Sequence, residues 1–422
     1  MIDVDAVDFF MNGRVLHSPY EYLAAMRARC PVRREPHHGV FMVTGYDEAV
    51  QVYNDTERFS ACISVTGPFP GFPVPLDGDD VSATIAAYRA RLPMSDQLPT
   101  LDPPVHTDHR ALLARMITPK RLKENEEFMW RLADRQYDEA LADGRVEFNG
   151  AYAGPFAMLV IADLLGVPES NHEEFHEAFY GGQAGTIGST NGESLPHTPL
   201  GYLYEKFTAY VEDRRREPRG DVLTGLASAT FPDGSTPDLM DVVRVASNLF
   251  AAGQETTVRL LSSAVMILAE NPELQAVLRA NHELIPSLVE ETLRWESPVR
   301  GDFRLAKVPV TVGGVDIPAG STLMLLNTAA NRDPRKFPAP DTFDILRPNA
   351  RSHIAFGRGA HACPGAPLAR AEAVVSLTRL FERTSNFWID EDKHGPAGAR
   401  RYRYLPTFML RGLTRLHLEY SA

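Results

Sequence analysis

Cysteine is scarce in this sequence, and its spacing excludes two common roles. Three cysteines occur among 422 residues, at Cys30, Cys62 and Cys363, and none belongs to a CxxC pair. An odd count without regular spacing does not form a disulfide framework, and the lack of CxxC argues against a structural zinc site. We therefore expect Cys30 and Cys62 to be inert, partly buried thiols.

Basic charge and long apolar runs are lacking as well. The chain carries 43 basic and 55 acidic residues, a formal net charge of −12. Phosphate binding needs a basic footprint, so this balance argues against nucleic acid as a partner. No run approaches the roughly 18–20 apolar residues of a membrane span. The first residues, MIDVDAVDFF, lack the positive charge of a signal peptide. We expect a cytoplasmic protein with no membrane span.

Helical periodicity dominates what is present. Hydrophobic residues make up 44% of the chain, enough for a large core. A hairpin is predicted from Val32–Glu35 and Gly39–Thr44, followed by a helix over Tyr46–Tyr53. Further helices are predicted over about 106–117, 121–142, 154–165, 169–180 and 200–216. Stretches rich in proline or glycine interrupt them at 63–104, which has a helical island near Ser82–Arg91, and at Gly181–Pro199. Because long loops are often functional, segment 61–100 is a candidate lid.

A long helix is predicted to begin at Thr236, which suits the N-cap, with Pro237 in the first turn and Asp238 near the positive end of the helix dipole. Apolar residues continue to Leu268, which gives a rod of roughly 45–50 Å. The remaining predictions are helices over about 273–281, 286–296 and 366–383, and strands at Val308–Val312, Thr322–Leu326 and the terminal LHLEY. The pattern indicates a mostly α fold with a small β region.

The most specific segment is FGRGAHACPG, which runs from Phe356 to Gly365. Its first two glycines allow a tight turn and a close approach to a flat ligand. Cys363 precedes a helix expected to begin near Ala366, so free backbone N–H groups would favour its thiolate form. A thiolate is the form in which cysteine binds iron.

This segment resembles the haem-binding signature of the cytochrome P450 superfamily, the haem-thiolate monooxygenases. The match includes the aromatic residue, both glycines, the cysteine and the glycine after it. The resemblance implies a haem b cofactor, with Cys363 as the axial ligand of its iron and Phe356 packed beside the sulfur. It also implies that His361 contacts a haem propionate and that Gly365 belongs to the cofactor-binding loop.

A second motif, ETLR, places Glu291 and Arg294 three residues apart on one helix face. Such pairs are common on solvated surfaces. The superfamily has a similar buried Glu-Arg-Arg network, and the resemblance maps it onto Glu291, Arg294 and Arg347. The implied role is structural, because the network locks the segment that leads to the haem loop.

A third motif, AGQETT at residues 252–257, lies in the middle of the predicted long helix. Gly253 costs about 1 kcal/mol there relative to alanine, which indicates close approach or local widening. An acid followed by an alcohol can relay protons to a ligand. The resemblance implies that Ala252 and Gly253 flank the haem face. It also implies that Thr256 hydrogen-bonds dioxygen or water there and that Glu255 feeds protons. A solvated glutamate and helix-packing threonines are the alternative.

A fourth motif, HTDHR, places His106 and Arg110 on one helix face, where both can reach an anion. The resemblance assigns both residues to a haem propionate, with Arg304 on a later strand as a further contact.

The resemblance extends from about Asp102 to Cys363, and it implies a cytochrome P450 fold. In that fold one triangular helical domain, here residues 1–422, holds haem between the long helix and the helix after the cysteine. The implied reaction inserts one oxygen atom of O2 into an apolar small molecule. With no fused reductase in the chain, a separate ferredoxin and reductase are expected to supply the electrons. A peroxide-using haem enzyme and a non-catalytic haem sensor remain alternatives.

The substrate is predicted only by class, as a terpenoid, steroid, fatty acid or aromatic compound, because the candidate lining segments carry few charges. These segments are 61–100, 181–199, 248–252, 299–303 and 408–409. The residues predicted to line the substrate site are Asn248, Leu249, Val299, Phe303, Phe408 and Met409. A docking face for an acidic ferredoxin is predicted at Lys120, Arg121, Lys123, Arg351 and Arg358; scattered solvated charges are the alternative. We expect a monomer.

Overall fold

A computed structural model describes residues 3–180 and 198–421, and α-helices dominate this part of the chain. The helices are α1 (Gly13–His17), α2 (Tyr20–Arg29), α3 (Tyr46–Asn54), α4 (Ser82–Tyr88), α5 (Val105–Met116), α6 (Pro119–Ala140), α7 (Gly154–Leu165), α8 (His172–Tyr180), α9 (Thr198–Arg216), α10 (Val222–Ala227), α11 (Leu239–Ala269), α12 (Pro272–Ala280), α13 (Ile285–Trp295), α14 (Asn327–Ala330), α15 (Ala366–Arg383) and α16 (Glu391–His394). The predicted mostly α character is confirmed.

The strands form small sheets beside the helices. They are β1 (Val32–Arg34), β2 (Phe41–Val43), β3 (Phe59–Ser60), β4 (Arg145–Glu147), β5 (Asp302–Ala306), β6 (Val310–Val312), β7 (Val315–Ile317), β8 (Thr322–Leu325), β9 (Asn386–Ile389) and β10 (His417–Ser421). One sheet has the order β1-β2-β8-β5-β3, a second the order β4-β10-β9, and β6 and β7 form a hairpin. In the first sheet, β5 pairs with β8 in antiparallel register, with Arg304 opposite Leu323.

Helix α11 is the central element of the largest hydrophobic core. Its 31 residues extend about 46 Å, and it packs against α5, α7, α9, α13 and α15. Most of its side chains are buried, and most of the buried ones are apolar, so α11 crosses the core and presents its middle turns to the neighbouring elements.

The predicted start of α11 is wrong by two residues. Asp238 occupies the N-cap position, and its side chain makes no capping hydrogen bond. The first helical bonds run to the Asp238 carbonyl. The Pro237 carbonyl instead accepts a hydrogen bond from Arg215 at 3.1 Å, which holds the preceding residues outside the helix.

Other predicted elements agree to different degrees. Helices α7 and α15 have the predicted ends, whereas the single helix predicted over 169–180 is a 3₁₀ turn at Glu169–Asn171 followed by α8. Helices α1 and α2 were not predicted, because α2 buries only Tyr22, Leu23 and Met26. Such a narrow apolar stripe gives no clear period.

The candidate lid, segment 61–100, carries α4 and contributes Val81, Ile85 and Leu92 to a hydrophobic cluster. Residues 181–197 of the predicted Gly181–Pro199 break lie outside the described residues. Among residues 3–180 and 198–421, no helix is both long and apolar enough to cross a bilayer.

Candidate functional site

A cavity of about 330 Å³ lies between the middle of α11 and the loop that carries Cys363. Most of its wall is apolar, and it includes Leu98, Leu249 and Val299. Helix α11 forms one side, and the segment from Ala355 to Ala369 forms much of another. The third and first sequence motifs therefore face one enclosed space.

Two glycines give the Cys363 loop its shape. Gly357 and Gly359 adopt φ values of +65° and +67°, which side chains rarely tolerate. A Cβ atom on Gly359 would lie 2.5 Å from the carbonyl oxygen of Tyr53, so the loop needs glycine to pack against α3. The Cys363 N–H then donates to the Phe356 carbonyl at 2.8 Å, which closes the loop.

The Cys363 side chain faces the cavity at the start of α15. Burial raises the pKa of the Cys363 thiol, and this effect outweighs the hydrogen bonds from the backbone N–H groups of Gly365 and Ala366 and the positive charge of Arg110. The N–H groups expected from the sequence are present, but they do not by themselves produce a thiolate. A coordinated metal ion would do so, because a thiol loses its proton when it ligates a metal.

A largely buried network of charged side chains packs against the ring of Phe356. The Arg370 guanidinium lies 4.7 Å from the centre of the Phe356 ring, and its Nε donates to Glu290 at 2.6 Å. His353 contacts the same carboxylate at 3.1 Å. Although burial raises the pKa of Glu290, hydrogen bonds from His353 and Arg370 outweigh it and lower the pKa to about 2. The sequence did not predict this network, because Glu290 is far from both His353 and Arg370 along the chain.

Cationic and neutral donors cluster at another side of the cavity. The rings of His106 and His361 lie 4.0 Å apart. Burial lowers the pKa values of both histidines, and the positive charges of Arg110 and Arg304 lower them further. Both ring nitrogens of His106, Nε2 of His361 and Nη2 of Arg304 are buried without a hydrogen-bond partner among the described residues. Arg110 donates to the Ala362 carbonyl at 2.5 Å, and Arg304 pairs with Asp302 at 2.9 Å.

These residues fit a haem group. Buried polar atoms are nearly always hydrogen-bonded, so four unpartnered nitrogen atoms beside two guanidinium groups indicate an anionic ligand. Haem carries two propionates that match such a cluster. The apolar cavity wall suits a porphyrin face, and the Cys363 thiol on that wall would hold the iron.

The α11 residues of the third motif do not all reach the cavity. Ala252, Gly253 and Thr256 line it, and the Thr256 hydroxyl donates to the Ala252 carbonyl at 2.9 Å. A Cβ atom on Gly253 would lie 3.3 Å from Ile161 of α7, which is the close approach that its sequence position suggested. Glu255 is absent from the cavity wall, and its carboxylate binds Arg259 at 2.7 Å.

A carboxyl group that sequence reasoning missed does line the cavity. Glu372 of α15 is fully buried and accepts a hydrogen bond from Thr257 of α11 at 2.8 Å. Burial raises its pKa to about 8 although the hydrogen bond from Thr257 lowers it. Glu372 occupies a position in α15 where the helical period predicts an apolar, buried residue. This position was the sequence signal that could have identified it.

The second motif forms a buried network with Arg347. Arg294 contacts both oxygens of Glu291, at 2.7 and 2.8 Å, and Arg347 contacts one of them at 3.1 Å. The two arginines also donate to carbonyls of Pro338, Pro340 and Thr342. The network therefore ties α13 to the irregular chain that precedes the Cys363 loop.

The structure separates the predicted substrate-lining residues into two groups. Asn248, Leu249, Val299 and Met409 line the cavity. Phe303 and Phe408 do not; they pack with Phe10, with ring centroids 6.3 and 5.3 Å from it. Neighbours along a strand point to opposite sides, so the position of Asp302 on the wall turns Phe303 of β5 away from the cavity.

The comparisons with known proteins identify the family. The family model for cytochrome P450 matches residues 201–394. Cytochrome P450 144 of Mycobacterium tuberculosis is 34% identical, over 98% of this chain and 91% of the relative. The vitamin D(3) 25-hydroxylase of Pseudonocardia autotrophica is 32% identical, over 96% and 94%.

Structural similarity is also high. The substrate-free structure of Mycobacterium marinum cytochrome P450 CYP150A6 has a TM-score of 0.94 and 52% identity, with 99% of each chain covered. The fold expected from the Cys363 signature is thereby confirmed. The chain belongs to the cytochrome P450 family, whose members are haem-dependent monooxygenases.

Proposed function

We propose that this enzyme hydroxylates an apolar small molecule, using haem b held by Cys363 and electrons from a separate ferredoxin and its reductase. The observation that carries the proposal is the shared cavity, in which Cys363 faces Ala252 and Thr256 of α11 across an apolar space. When bound, haem supplies the dioxygen chemistry, in which one oxygen atom enters a C–H bond and the other leaves as water.

The residues of this chain have separate tasks in that reaction. His106, His361 and Arg304 would hold the propionates, because each has a buried nitrogen atom without a partner among the described residues, and Arg110 would add its positive charge beside them. Phe356 and the N–H groups of Gly365 and Ala366 fix the position of the sulfur. Leu249, Val299 and Met409 exclude water from the substrate side, where dryness strengthens every polar contact.

Proton delivery is proposed at the Thr256 hydroxyl. It donates its hydrogen to the Ala252 carbonyl, which leaves its oxygen free to accept a hydrogen bond from a water molecule and so to position that water as the proton donor. Glu255 reaches this site only if its pair with Arg259 opens, since the carboxylate points to that guanidinium. We therefore propose Glu255 as a proton source that exchanges with solvent through this opening.

The substrate class is proposed from the wall chemistry. The lining side chains near Asn248 are mainly aliphatic, and one relative is named a vitamin D(3) 25-hydroxylase. Apolar ligands gain about 25 cal/mol for each Å² of apolar surface removed from water, so this wall favours a terpenoid, a steroid or a comparable carbon skeleton.

The electron donor is proposed to dock where Pro364 and Pro367 line a surface depression beside the Cys363 loop. Lys120 and Arg351 are 87% and 77% exposed, and Lys123 is exposed. Arg121 is committed to the Leu164 carbonyl and Arg358 to the Ser352 carbonyl. The most exposed of these charges, Lys120, Lys123 and Arg351, are proposed to attract an acidic ferredoxin.

The test uses the purified haem-loaded enzyme with ferredoxin, reductase, NADH and ¹⁸O2. Hydroxylation predicts a product heavier by one ¹⁸O atom. Product formed only with hydrogen peroxide, or label absent from the product, would overturn the proposal in favour of a peroxide-using enzyme. Haem binding without any product across terpenoid and steroid panels would favour a sensor.

Size-exclusion chromatography tests the further proposal that the enzyme is a monomer, and fractionation tests its cytoplasmic location.

A further inference from the structure

Asn248 places a carboxamide on the wall of the apolar cavity. It precedes Ala252 by one helical turn and Thr256 by two, so the three residues follow one face of α11. No hydrogen bond joins the Asn248 side chain to any residue within 3–180 or 198–421. The carboxamide therefore has two donors and an acceptor available to a ligand.

Several other hydroxyl groups on the cavity wall already donate to protein acceptors. Ser64 donates to the Pro99 carbonyl at 2.7 Å, Tyr53 donates to Asn327 at 2.9 Å, and Thr256 donates to its own helix. Leu249 and Val299, which line the same cavity, have side chains without polar atoms. Asn248 is thus an amide available to fix one polar atom of a substrate.

We propose that Asn248 is a specificity-determining residue that binds the single hydroxyl or carbonyl oxygen of an otherwise apolar substrate. This inference rests on the proposed function and narrows its substrate class to monofunctional alcohols and ketones. An amide left unpaired against a purely apolar ligand costs enough to weaken binding about tenfold to hundredfold. The cavity therefore selects against plain hydrocarbons.

The position of Asn248 also sets which carbon is oxidised. Four residues separate it from Ala252, a rise of about 6 Å along α11. A substrate oxygen held at Asn248 therefore places a carbon that lies about 6 Å away beside Ala252 and Gly253. We therefore expect the enzyme to oxidise the carbon that lies at this distance from the oxygen atom already present in the substrate.

The experiment uses the haem-loaded enzyme and a series of azoles that ligate haem iron directly, so binding does not depend on knowing the substrate. The probes are 4-phenylimidazole and its 2-, 3- and 4-hydroxyphenyl analogues, titrated by the shift of the haem absorption band. We expect at least one hydroxyl isomer to bind the unaltered enzyme tenfold or more tightly than 4-phenylimidazole. Asn248→Leu should abolish that gain, while Asn248→Gln, which keeps the amide, should retain part of it.

Two outcomes overturn the inference. One is that no hydroxyl isomer gains affinity in the unaltered enzyme, and the other is that Asn248→Leu keeps the gain. Either result leaves the proposed function standing if both proteins form the thiolate-ligated carbonyl complex. Loss of that spectrum in the unaltered enzyme, in contrast, contradicts the proposed function itself.

Discussion

The Thr257 hydroxyl of α11 donates to the carboxyl group of Glu372 of α15 at 2.8 Å, inside the protein and against the cavity. The titratable group that faces this pair from another helix segment is Tyr152. With the pKa of Glu372 raised to about 8 by burial, the carboxyl is protonated in the folded enzyme at neutral pH.

Because the pKa of Glu372 is raised, we expect the stability of the protein to depend on pH. Between about pH 4.5 and 8 the folded protein holds a proton that the unfolded chain releases, so the free energy of unfolding falls as pH rises, by at most about 1.4 kcal/mol per pH unit. Glu372→Gln should flatten this decline. Urea unfolding at pH 5, 6, 7 and 8 measures it, with the exposed Glu382→Gln on the same helix as control. Equal slopes for the two variants would refute the prediction.

Thr256→Ala is expected to uncouple oxygen consumption from hydroxylation. Without the hydroxyl near Ala252, proton delivery loses its positioned donor, and reduced oxygen leaves as peroxide or water. The measurement is product formed per NADH consumed, which we expect to fall about tenfold or more, since positioned acid–base groups contribute about 10²–10⁴. Thr256→Ser keeps the hydroxyl and should stay near the unaltered ratio. Unchanged coupling in Thr256→Ala would contradict the proton role.

Arg294→Ala should destabilise the fold by about 3–5 kcal/mol and lower haem content, because it leaves the fully buried Glu291 with an incomplete set of partners. The control is Arg29→Ala, which removes an exposed pair with Asp5 and should cost at most about 1 kcal/mol. Chemical unfolding and the ratio of haem absorbance to protein absorbance give both readouts. Normal haem content in Arg294→Ala would show that the network does not secure the haem loop.

Reversing charge at Lys120 and Lys123 should slow reduction by ferredoxin at low salt and weaken the salt dependence of the rate. Both side chains are exposed near the depression lined by Pro119 and Pro364, where charge accelerates encounter. Stopped-flow reduction across a salt series measures this. Reversal of Lys393, which is exposed on α16 and does not line the depression, serves as control. If the reduction rate depended on salt equally in all variants, the proposed docking face would be contradicted.

Local sequence chemistry predicted the Cys363 loop well, because glycine at φ +65° and +67° and a cysteine before a helix are local requirements. It predicted α7 and α15 for the same reason, since their apolar periods are clear. It did not predict which way Phe303 and Phe408 face, because that depends on strand pairing and on Phe10. Nor did it predict the pair formed by Thr257 and Glu372, which are 115 residues apart.

The partner of Glu255 shows a related limit. The spacing of Glu255 and Arg259 is that of an ordinary helix ion pair, but the sequence does not reveal whether the carboxylate turns to the cavity or to the arginine. Packing of Arg259 against the Leu413 carbonyl decides it. The long-range contact, rather than the motif, fixes the resting position of this acid.

The spectrum of Cys363→Ser tests the central claim most directly. Serine has nearly the same size, and the loop is held by Gly357, Gly359 and backbone hydrogen bonds, so the variant should fold. We predict that its reduced carbonyl complex loses the long-wavelength band of thiolate-ligated haem and that hydroxylation stops, whereas Cys30→Ser changes neither. Retention of both the band and turnover in Cys363→Ser would contradict the account.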